Sequence, residues 1–326
     1  MKLNPNFNPK NIIFCPEQHI VAVGQYEIRV FDSIRLVEIE TYPLTSKTSV
    51  MMFSKDGNKI YALTNKGQIY VIDRIKKKAI LGNKIGIQRM IYEADIFENG
   101  FILPLLSSEG FMLVVPGEQY RKQLNDWYYV DDLGHIKNYF SIAYENCMGY
   151  SNVKNHCNFG NILNNPFEDG SYYFNCYKHR SILCFKPDKM EFSTLYELKN
   201  LENVRYISKK NNFMLLSPHL EIWRFDLPKN PNQLYKDLNP KKLADGSLPI
   251  NNYAATARNT NLDSDKTCYF DVKQMKIHTI PDKYFRPCDP DMKSGFLLDM
   301  DNIRYVATNA ERSTFYNKET DEVIFQ

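Results

Sequence analysis

Four short apolar runs follow one another between residues 49 and 81, and turn-forming residues separate each run from the next. The runs are Ser49–Phe53, Lys59–Leu63, Gln68–Asp73 and Lys78–Leu81. Asp56-Gly57 and Asn65-Lys66-Gly67 lie between them and supply the positive φ angles that tight hairpins need. The second and third runs are rich in Ile, Tyr and Val, which favour strands. This stretch therefore predicts a four-stranded antiparallel sheet.

The same arrangement repeats along the chain. Residues 20–32 align without a gap with residues 61–73, an offset of 41, so that Asp32 falls on Asp73. Further copies lie at 100–115, 168–186, 213–226, 253–271 and 304–317. One such sheet cannot bury both of its faces, whereas copies packed face to face can. The repeats predict an all-β chain in which residues 1–326 form a single β-propeller domain of four-stranded antiparallel blades.

The number of blades depends on one irregular segment. The expected third strands end near residues 32, 73, 115, 186, 226, 271 and 317, and one interval of 71 residues exceeds the others. We favour a seven-bladed ring with an irregular insertion at about 119–165. The alternative is a degenerate eighth blade in that segment, with residues 138–144 as one of its strands. In other copies an Asp ends the third strand, as Asp32 and Asp73 do, and we call this residue the closing Asp. In this alignment the third copy, at 100–115, lacks it.

The segment 53–80 resembles a repeat of the YVTN/WD-repeat-like β-propeller superfamily. The match lies in a serine-x-Asp-Gly turn before the second strand and in an apolar third strand that ends in Asp. The matching residues are Phe53, Ser54, Asp56, Gly57, Tyr61, Val71, Ile72 and Asp73. The Gly-His and Trp-Asp dipeptides of true WD repeats are absent, since Arg224 and Phe225 separate Trp223 from Asp226. The resemblance implies a fold and no particular activity, because propellers host enzymes, ligand binders and scaffolds.

Charge and composition narrow the class of partner and the compartment. The net charge of +3 and the pI near 8.3 argue against nucleic acid as the partner. The longest basic run, residues 74–78, is expected in a solvated hairpin turn. The N-terminus does not resemble a secretory signal, and no apolar run is long enough for a membrane span. The seven Cys include no CxxC pair, so we expect reduced thiols, a cytoplasmic protein and no membrane contact.

One segment gathers side chains that could bind zinc. Six Cys and His residues occur between positions 147 and 184, namely Cys147, His156, Cys157, Cys176, His179 and Cys184. Thiolates and imidazoles are the ligands that zinc prefers, but the spacing matches no known zinc finger. Cys176 and Cys184 fit the apolar pattern of strands and are interpreted as core thiols. We therefore assign no metal site and no cofactor, and no His, Ser or Asp is singled out as catalytic.

Aromatic residues are dense within the irregular segment, at Trp127, Tyr128 and Tyr129. Tyr and Trp often anchor interfaces because they combine apolar area with a polar tip. These three residues are the candidate binding residues of the sequence. The competing interpretation is that they form an ordinary strand packed within the propeller.

The functional expectation is a non-catalytic protein-interaction platform in the cytosol, whose partner is another protein and which is itself a monomer. The alternative is a small-molecule hydrolase or ligand binder, similar to lactonase propellers, with its site at the central channel. Such sites gather Asp, Asn, Glu and His at the start of the innermost strands. The residue types at those positions therefore distinguish the two hypotheses.

Overall fold

The computed structural model shows a chain built almost wholly from antiparallel β-sheets. It describes residues 11–86, 101–107, 109–116, 124–143, 169–176, 181–189, 191–197, 204–216, 221–229, 238–245, 250–251, 255–256, 267–271, 276–280, 295–308 and 312–325. In these residues the strands form seven sheets, numbered here in chain order. Sheets 1–3 belong to one compact unit and sheets 4–7 to another. None of the described residues forms a helix long and apolar enough to cross a membrane.

Sheets 1–3 each contain four strands that follow one another in chain order. Sheet 1 consists of β1 (Ile12–Cys15), β2 (Ile20–Gly24), β3 (Glu27–Asp32) and β4 (Val37–Pro43). Sheet 2 consists of β5 (Thr48–Phe53), β6 (Lys59–Thr64), β7 (Gln68–Asp73) and β8 (Lys78–Lys84). Sheet 3 consists of β9 (Phe101–Pro104), β10 (Gly110–Pro116), β11 (Leu124–Asp131) and β12 (Ile136–Ala143).

Sheets 4–7 are less uniform. Sheet 4 shows β13 (Tyr172–Cys176), β14 (Ser181–Lys186) and β15 (Glu191–Glu197), with a 3-10 turn at Pro187–Lys189. Sheet 5 contains β16 (Val204–Ser208), β17 (Phe213–Leu216), β18 (Glu221–Asp226) and β19 (Lys241–Asp245). Sheet 6 contains β20 (Ile250–Asn251), β22 (Thr267–Asp271) and β23 (Lys276–Ile280). Sheet 7 contains β21 (Ala255–Thr256), β24 (Gly295–Met300), β25 (Ile303–Thr308), β26 (Arg312–Asn317) and β27 (Val323–Phe325).

Sheet 2 confirms the four strands predicted between residues 49 and 81, and it is buried on both faces. Ile60 and Ala62 of β6 pack in a core shared with sheet 1. Tyr61 and Leu63, which alternate with them, pack in a core shared with sheet 3. Successive side chains of a strand point to opposite faces, so a strand covered on both sides must be apolar at every position. This explains the continuous apolar runs of the sequence.

The first-to-second turn of sheet 2 has the conformation that its Asp-Gly pair predicts. Gly57 adopts φ 71°, and the Gly57 amide donates to the Ser54 carbonyl at 3.0 Å. The Ser54 hydroxyl donates to Asp56 at 2.6 Å and accepts from the Lys59 amide at 3.0 Å. In other sheets the same turn also holds a residue at positive φ, at His19, Asn212 and Asp301, and Gly170, directly before β13, has positive φ as well. The predicted role of Gly57 is confirmed.

The closing Asp of the third strand has a local structural role. The Asp32 carboxylate accepts from the backbone amides of Ile34 and Arg35, at 2.9 and 2.8 Å. Asp73 accepts from the Lys76 amide at 2.9 Å, and Asn317 of sheet 7 accepts from the Glu319 amide at 2.9 Å. Such Asx turns hold the third-to-fourth turn in one backbone conformation.

Sheet 3 corrects the expected alignment by one strand. Residues 101–104 and 110–116 are its first and second strands, not its second and third. Part of the segment 119–165, expected as an irregular insertion or an eighth blade, forms the third and fourth strands, β11 and β12. The closing Asp is present as Asp131, which accepts from the amides of Leu133 and His135. The rest of that segment lies outside the described residues.

A second correction concerns the sixth copy. Residues 253–257 were expected to pair with 267–271, but β21 pairs antiparallel with β24 of sheet 7. The strand beside β22 is β20, and this pairing is parallel. The copy predicted at 304–317 is confirmed as β25 and β26, and β24 and β27 complete four consecutive antiparallel strands there. The number of blades stays a prediction.

Arg74 corrects the expectation that the basic run is a solvated turn. The run does lie between β7 and β8, but the Arg74 guanidinium donates to both oxygens of Glu40 in β4, each at 2.8 Å. It also donates to the Gln18 side chain and to the Gly57 carbonyl, at 2.6 and 2.7 Å. Arg74 therefore joins sheet 2 to sheet 1, while residues 75–78 are exposed.

Candidate functional site

Three exposed aliphatic side chains occupy the same position in three consecutive sheets. Ile34, Ile75 and Leu133 each lie two residues after the closing Asp of the third strand. Their exposed fractions are 48%, 74% and 52%. We call these three residues the aliphatic row. Since sheets 1–3 pack face to face in order, the turns that bear the row follow one another along one end of these sheets.

The backbone beneath the aliphatic row is fixed by hydrogen bonds. Asp32 and Asp131 accept from the amides of Ile34 and Leu133 themselves, each at 2.9 Å. In the turn of sheet 2, the Lys77 amide donates to the Arg74 carbonyl at 3.3 Å, and Lys77 adopts φ 50°. A turn held in one conformation presents its side chains without a large loss of entropy on binding.

The carboxylates of Asp73 and Asp131 have pKa values below the usual value of an aspartate. The amide of Lys76, followed by its ammonium group, lowers the pKa of Asp73 against the opposing effect of burial. Burial alone would raise the pKa of Asp131, but hydrogen bonds from the His135 amide and the Lys137 side chain lower it overall. Because these carboxylates point at their own turns, their negative charge is largely satisfied within the protein.

Basic side chains next to the aliphatic row point into solvent. Lys76, Lys77 and Lys78 follow Ile75 directly and are exposed. We call these three residues the lysine turn. Lys55, in the first-to-second turn at the same end of sheet 2, is exposed as well. In sheet 1 the row is followed by Arg35, whose side chain is 81% exposed and lies 3.8 Å from Asp32.

The candidate binding residues Trp127, Tyr128 and Tyr129 lie in β11, as the competing interpretation proposed. The Trp127 side chain is fully buried. Tyr128 is partly buried against the core between sheets 2 and 3, and its ring lies 5.0 Å from that of Tyr139. Tyr129 is partly exposed. A fully buried Trp127 acts as a core residue, so a role of the two tyrosines in binding stays a prediction.

Buried polar atoms gather near the start of the first strands of sheets 1 and 2. The Asn11 side-chain nitrogen donates to the Thr48 carbonyl at 3.0 Å. The side-chain oxygen of Asn11 and the hydroxyls of Thr48 and Ser49 are buried and have no hydrogen-bond partner among the described residues. Ser49 is the extra residue of a β-bulge, since Thr48 pairs with Thr64 and Val50 with Leu63. Bulges often occur near functional sites.

The residues at the starts of the first strands bear on the alternative function, a hydrolase or ligand binder with its site at the central channel. The described residues at their starts are Asn11, Thr48 and Ser49 in sheets 1 and 2, Phe101 in sheet 3, Val204 in sheet 5 and Gly295 in sheet 7. Asn11 is the one described start that belongs to the types expected at a hydrolase site, which are Asp, Asn, Glu and His. Thr, Ser, Phe, Val and Gly occupy the other starts among the described residues, and the choice between the platform and the lactonase-like alternative stays a prediction.

The Cys and His candidates fall mostly outside the described residues. Cys147, His156, Cys157 and His179 lie outside them, and Cys176 is placed in β13 by its backbone. Cys184 is a free, buried thiol in the core of sheets 4 and 5, as the strand pattern predicted. Among the described residues, no three His, Cys, Asp or Glu residues lie close enough together to hold a metal ion.

Burial also limits the reactivity of Cys15, a free thiol in the core between sheets 1 and 2. Burial raises the pKa of the Cys15 thiol, and the neighbouring Glu17 carboxylate raises it further. A thiol with a raised pKa is a poor nucleophile and metal ligand. Cys15 is therefore a core residue and not a candidate for covalent chemistry.

The aliphatic row is not among the candidate residues predicted from sequence, although a signal for it is present. Asp32-Ser33-Ile34, Asp73-Arg74-Ile75 and Asp131-Asp132-Leu133 share an Asp followed two positions later by a branched aliphatic residue. In a solvent-exposed turn such a residue departs from the usual polar composition. The misaligned third sheet concealed the third instance.

Comparison with known proteins supports the fold and leaves the family open. No protein-family model and no curated protein matches this chain. The β-propeller domain of Cps50 (Swd1) from Myceliophteria thermophila is similar in structure, with a TM-score of 0.50, 8% identity and coverage of 95% of this chain and 97% of that chain. At this identity the likeness concerns the fold, which is that of a β-propeller.

Two further solved structures are more distantly similar. Dihydro-heme d1 dehydrogenase NirN has a TM-score of 0.44 and 11% identity over 96% of this chain, which spans 64% of the NirN chain. BamB from Moraxella catarrhalis has a TM-score of 0.37 and 10% identity, covering 94% of this chain and 75% of that chain.

Proposed function

We propose that this protein is a non-catalytic protein-interaction platform, and that the aliphatic row forms part of its binding surface. The observation that carries the proposal is the recurrence of an exposed aliphatic residue at one position of three consecutive turns. Single exposed apolar residues are common on protein surfaces and need no explanation. A repeated position is different from single exposed residues, because three separate turns each expose an aliphatic side chain to water at the same place.

The scaffold beneath the row suits protein binding. The cores between sheets 1 and 2 and between sheets 2 and 3 fix the strands that carry the turns. The closing Asp residues then fix the turns themselves. A preorganised surface binds with a smaller entropic cost than a mobile one. Burial of the row under a partner would also remove its apolar area from water.

The proposal is tested with the triple variant Ile34→Ser, Ile75→Ser and Leu133→Ser. Partners captured by the wild-type protein are identified, purified and titrated against both proteins. We expect the triple variant to fold and to bind the partner at least about ten-fold more weakly, a loss of about 1.4 kcal/mol. Tyr26→Ser is the matched control, because Tyr26 is 62% exposed in the second-to-third turn at the opposite end of sheet 1.

Two results contradict the proposal. One is a partner that binds the triple variant as tightly as it binds the wild-type protein. The other is a partner whose binding is lost in the Tyr26 control and retained in the triple variant, which would place the surface at the other end of the sheets.

A further inference from the structure

We infer that the segment bound by the aliphatic row is acidic and carries apolar side chains, and that it is anchored at the turn between β7 and β8. This inference rests on the proposed function and specifies the chemistry of its partner. Ile75, in that turn, has the largest exposed fraction of the large hydrophobic side chains in the described residues. The lysine turn follows it immediately in the chain.

The positive charge of the lysine turn is available to a partner, while the carboxylates of Asp73 and Glu40 beside it are not. The exposed Asp56, in the first-to-second turn at the same end of sheet 2, is matched by the exposed Lys55. The Asp73 carboxylate accepts from the Lys76 amide, and its side chain is 12% exposed. Glu40 is held by Arg74 through two hydrogen bonds. Lys76, by contrast, has a side chain that is 76% exposed even though its ammonium lies 3.2 Å from Asp73. The solvent-facing surface around Ile75 is therefore basic.

The two neighbouring turns of the row do not share this excess of positive charge. In sheet 1, Arg35 is accompanied at the same end by the exposed Glu17. In sheet 3, the Lys137 ammonium lies 2.9 Å from Asp131, and Glu109 is exposed in the first-to-second turn. The charge thus selects sheet 2 as the anchor, and the aliphatic residues on either side extend the surface.

A segment that complements this surface places an apolar side chain against Ile75 and carboxylates against the lysine turn. Apolar contact supplies most of the affinity, and complementary charge supplies orientation and rate of association. Binding should weaken as salt is added, since exposed charges are screened.

The test is a selection of random displayed peptides of about twelve residues, which span about 40 Å when extended. The library is selected on the wild-type protein, and each enriched peptide is synthesised and titrated. The first variant is the triple serine variant of the aliphatic row. The second is Lys76→Gln, Lys77→Asn and Lys78→Gln, where Asn suits the positive φ of position 77. Lys66→Gln is the matched control, because Lys66 is exposed in the second-to-third turn at the opposite end of sheet 2.

We expect enriched peptides that are net negative, contain apolar residues and bind the lysine-turn variant about ten-fold more weakly or worse. The Lys66 control should bind them as the wild type does. Peptides that require the aliphatic row but are neutral or basic, or that bind the lysine-turn variant normally, overturn this inference and leave the proposed function standing. A library without any peptide that requires the row contradicts the proposed function itself.

Single-stranded poly-uridine is titrated in parallel, because phosphates could also pair with the lysine turn. Its binding should be weak and insensitive to the triple serine variant. Tight binding of poly-uridine that disappears in the lysine-turn variant, with no acidic peptide bound, overturns the inference in favour of nucleic acid.

Discussion

Gly82 of sheet 2 and Gly134 of sheet 3 meet backbone to backbone. A β-carbon on Gly82 would lie 2.4 Å from the carbonyl oxygen of Gly134, closer than side-chain carbons approach other atoms. The Asn83 amide donates to that same oxygen at 2.8 Å, and the Asn83 side chain accepts from the Ile136 amide at 2.7 Å. Sheets 2 and 3 are thus joined by hydrogen bonds to main-chain groups as well as by their shared core.

Gly82→Ala should destabilise the protein by about 1–3 kcal/mol, because the added methyl group must push the two backbones apart. The measurement is the denaturant midpoint of unfolding. Gly86→Ala is the matched control, since a β-carbon at Gly86 meets nothing within 4 Å. Equal midpoints for the two variants would show that the backbones at Gly82 and Gly134 leave room for a methyl group.

Arg74→Ala should cost about 3 kcal/mol, because it leaves the Glu40 carboxylate partly buried without its cation. The two side chains are 9% and 13% exposed, so solvent screens the pair little. Arg35→Ala is the control, because its side chain faces solvent in the equivalent turn and its ion pair should be worth at most about 1 kcal/mol. Chemical denaturation of both variants provides the comparison, and a smaller loss for Arg74→Ala than for Arg35→Ala would contradict the prediction.

The sheets that were predictable from sequence are those whose strands follow one another through short turns, and sheet 2 is marked most clearly, by Asp-Gly and Asn-x-Gly. Gly57 and Gly67 both adopt positive φ in sheet 2, and there the predicted strands agree closely with the structure. Sheet 3 was misaligned because residues 117–123, between β10 and β11, separate these strands by more than a tight turn. Asp131 then appeared too far along the chain to be the closing Asp.

The interaction surface was harder to predict than the fold. Trp127 is a candidate binding residue in the sequence because aromatic side chains are common at interfaces, but its position within β11 buries it. Ile75 lay in a basic run that looked like an ordinary solvated turn. Alternation along a strand predicts which residues are buried, whereas exposure in a turn depends on the hydrogen bonds of its closing Asp.

Thr48→Val should leave the stability unchanged or raise it. The Thr48 side chain is 2% exposed and its hydroxyl has no partner among the described residues, so removing that hydroxyl relieves a desolvation cost of about 1–3 kcal/mol. Thermal unfolding is the measurement, with Thr64→Val as the comparison, because the Thr64 hydroxyl accepts from the Gln68 amide at 3.1 Å. If Thr48→Val proved the more destabilising of the two, a bound polar group at the Thr48 hydroxyl would be indicated.

Asp299 should contribute to stability at neutral pH and lose that contribution in acid. Burial would raise the pKa of Asp299, but two hydrogen bonds from Arg304, at 2.8 and 3.1 Å, and the charge of Lys318 lower it overall. A lowered pKa in the folded state gives stability that is complete above the unfolded value of about 3.9 and disappears as pH falls through the folded value. The Asp299→Asn variant should therefore be less stable at pH 7, and its free energy of unfolding should fall less steeply than that of the wild type as the pH is lowered. Parallel pH profiles of the free energy of unfolding would contradict this.

The slowest hydrogen exchange should occur in β6 and β7. Every side chain in Ile60–Leu63 and Ile69–Ile72 is buried, because the cores shared with sheets 1 and 3 cover both faces of these strands. Strands β4 and β8, at the outer edges of sheets 1 and 2, bear mostly exposed or half-buried side chains. Opening an outer strand exposes little apolar area, whereas opening β6 or β7 disrupts two cores at once.

Native-state exchange read by mass spectrometry measures this difference at peptide resolution. Peptides that cover β6 and β7 should exchange at the rate set by global unfolding, and their protection should fall with denaturant in parallel with the overall stability. Peptides that cover β4 and β8 should exchange earlier and respond less to denaturant. Ile60→Val gives an independent check, since it should lower the protection of β6 and β7 by the same amount as the global stability, about 1 kcal/mol. Faster exchange in β6 than in β8 would contradict the packing described for sheet 2.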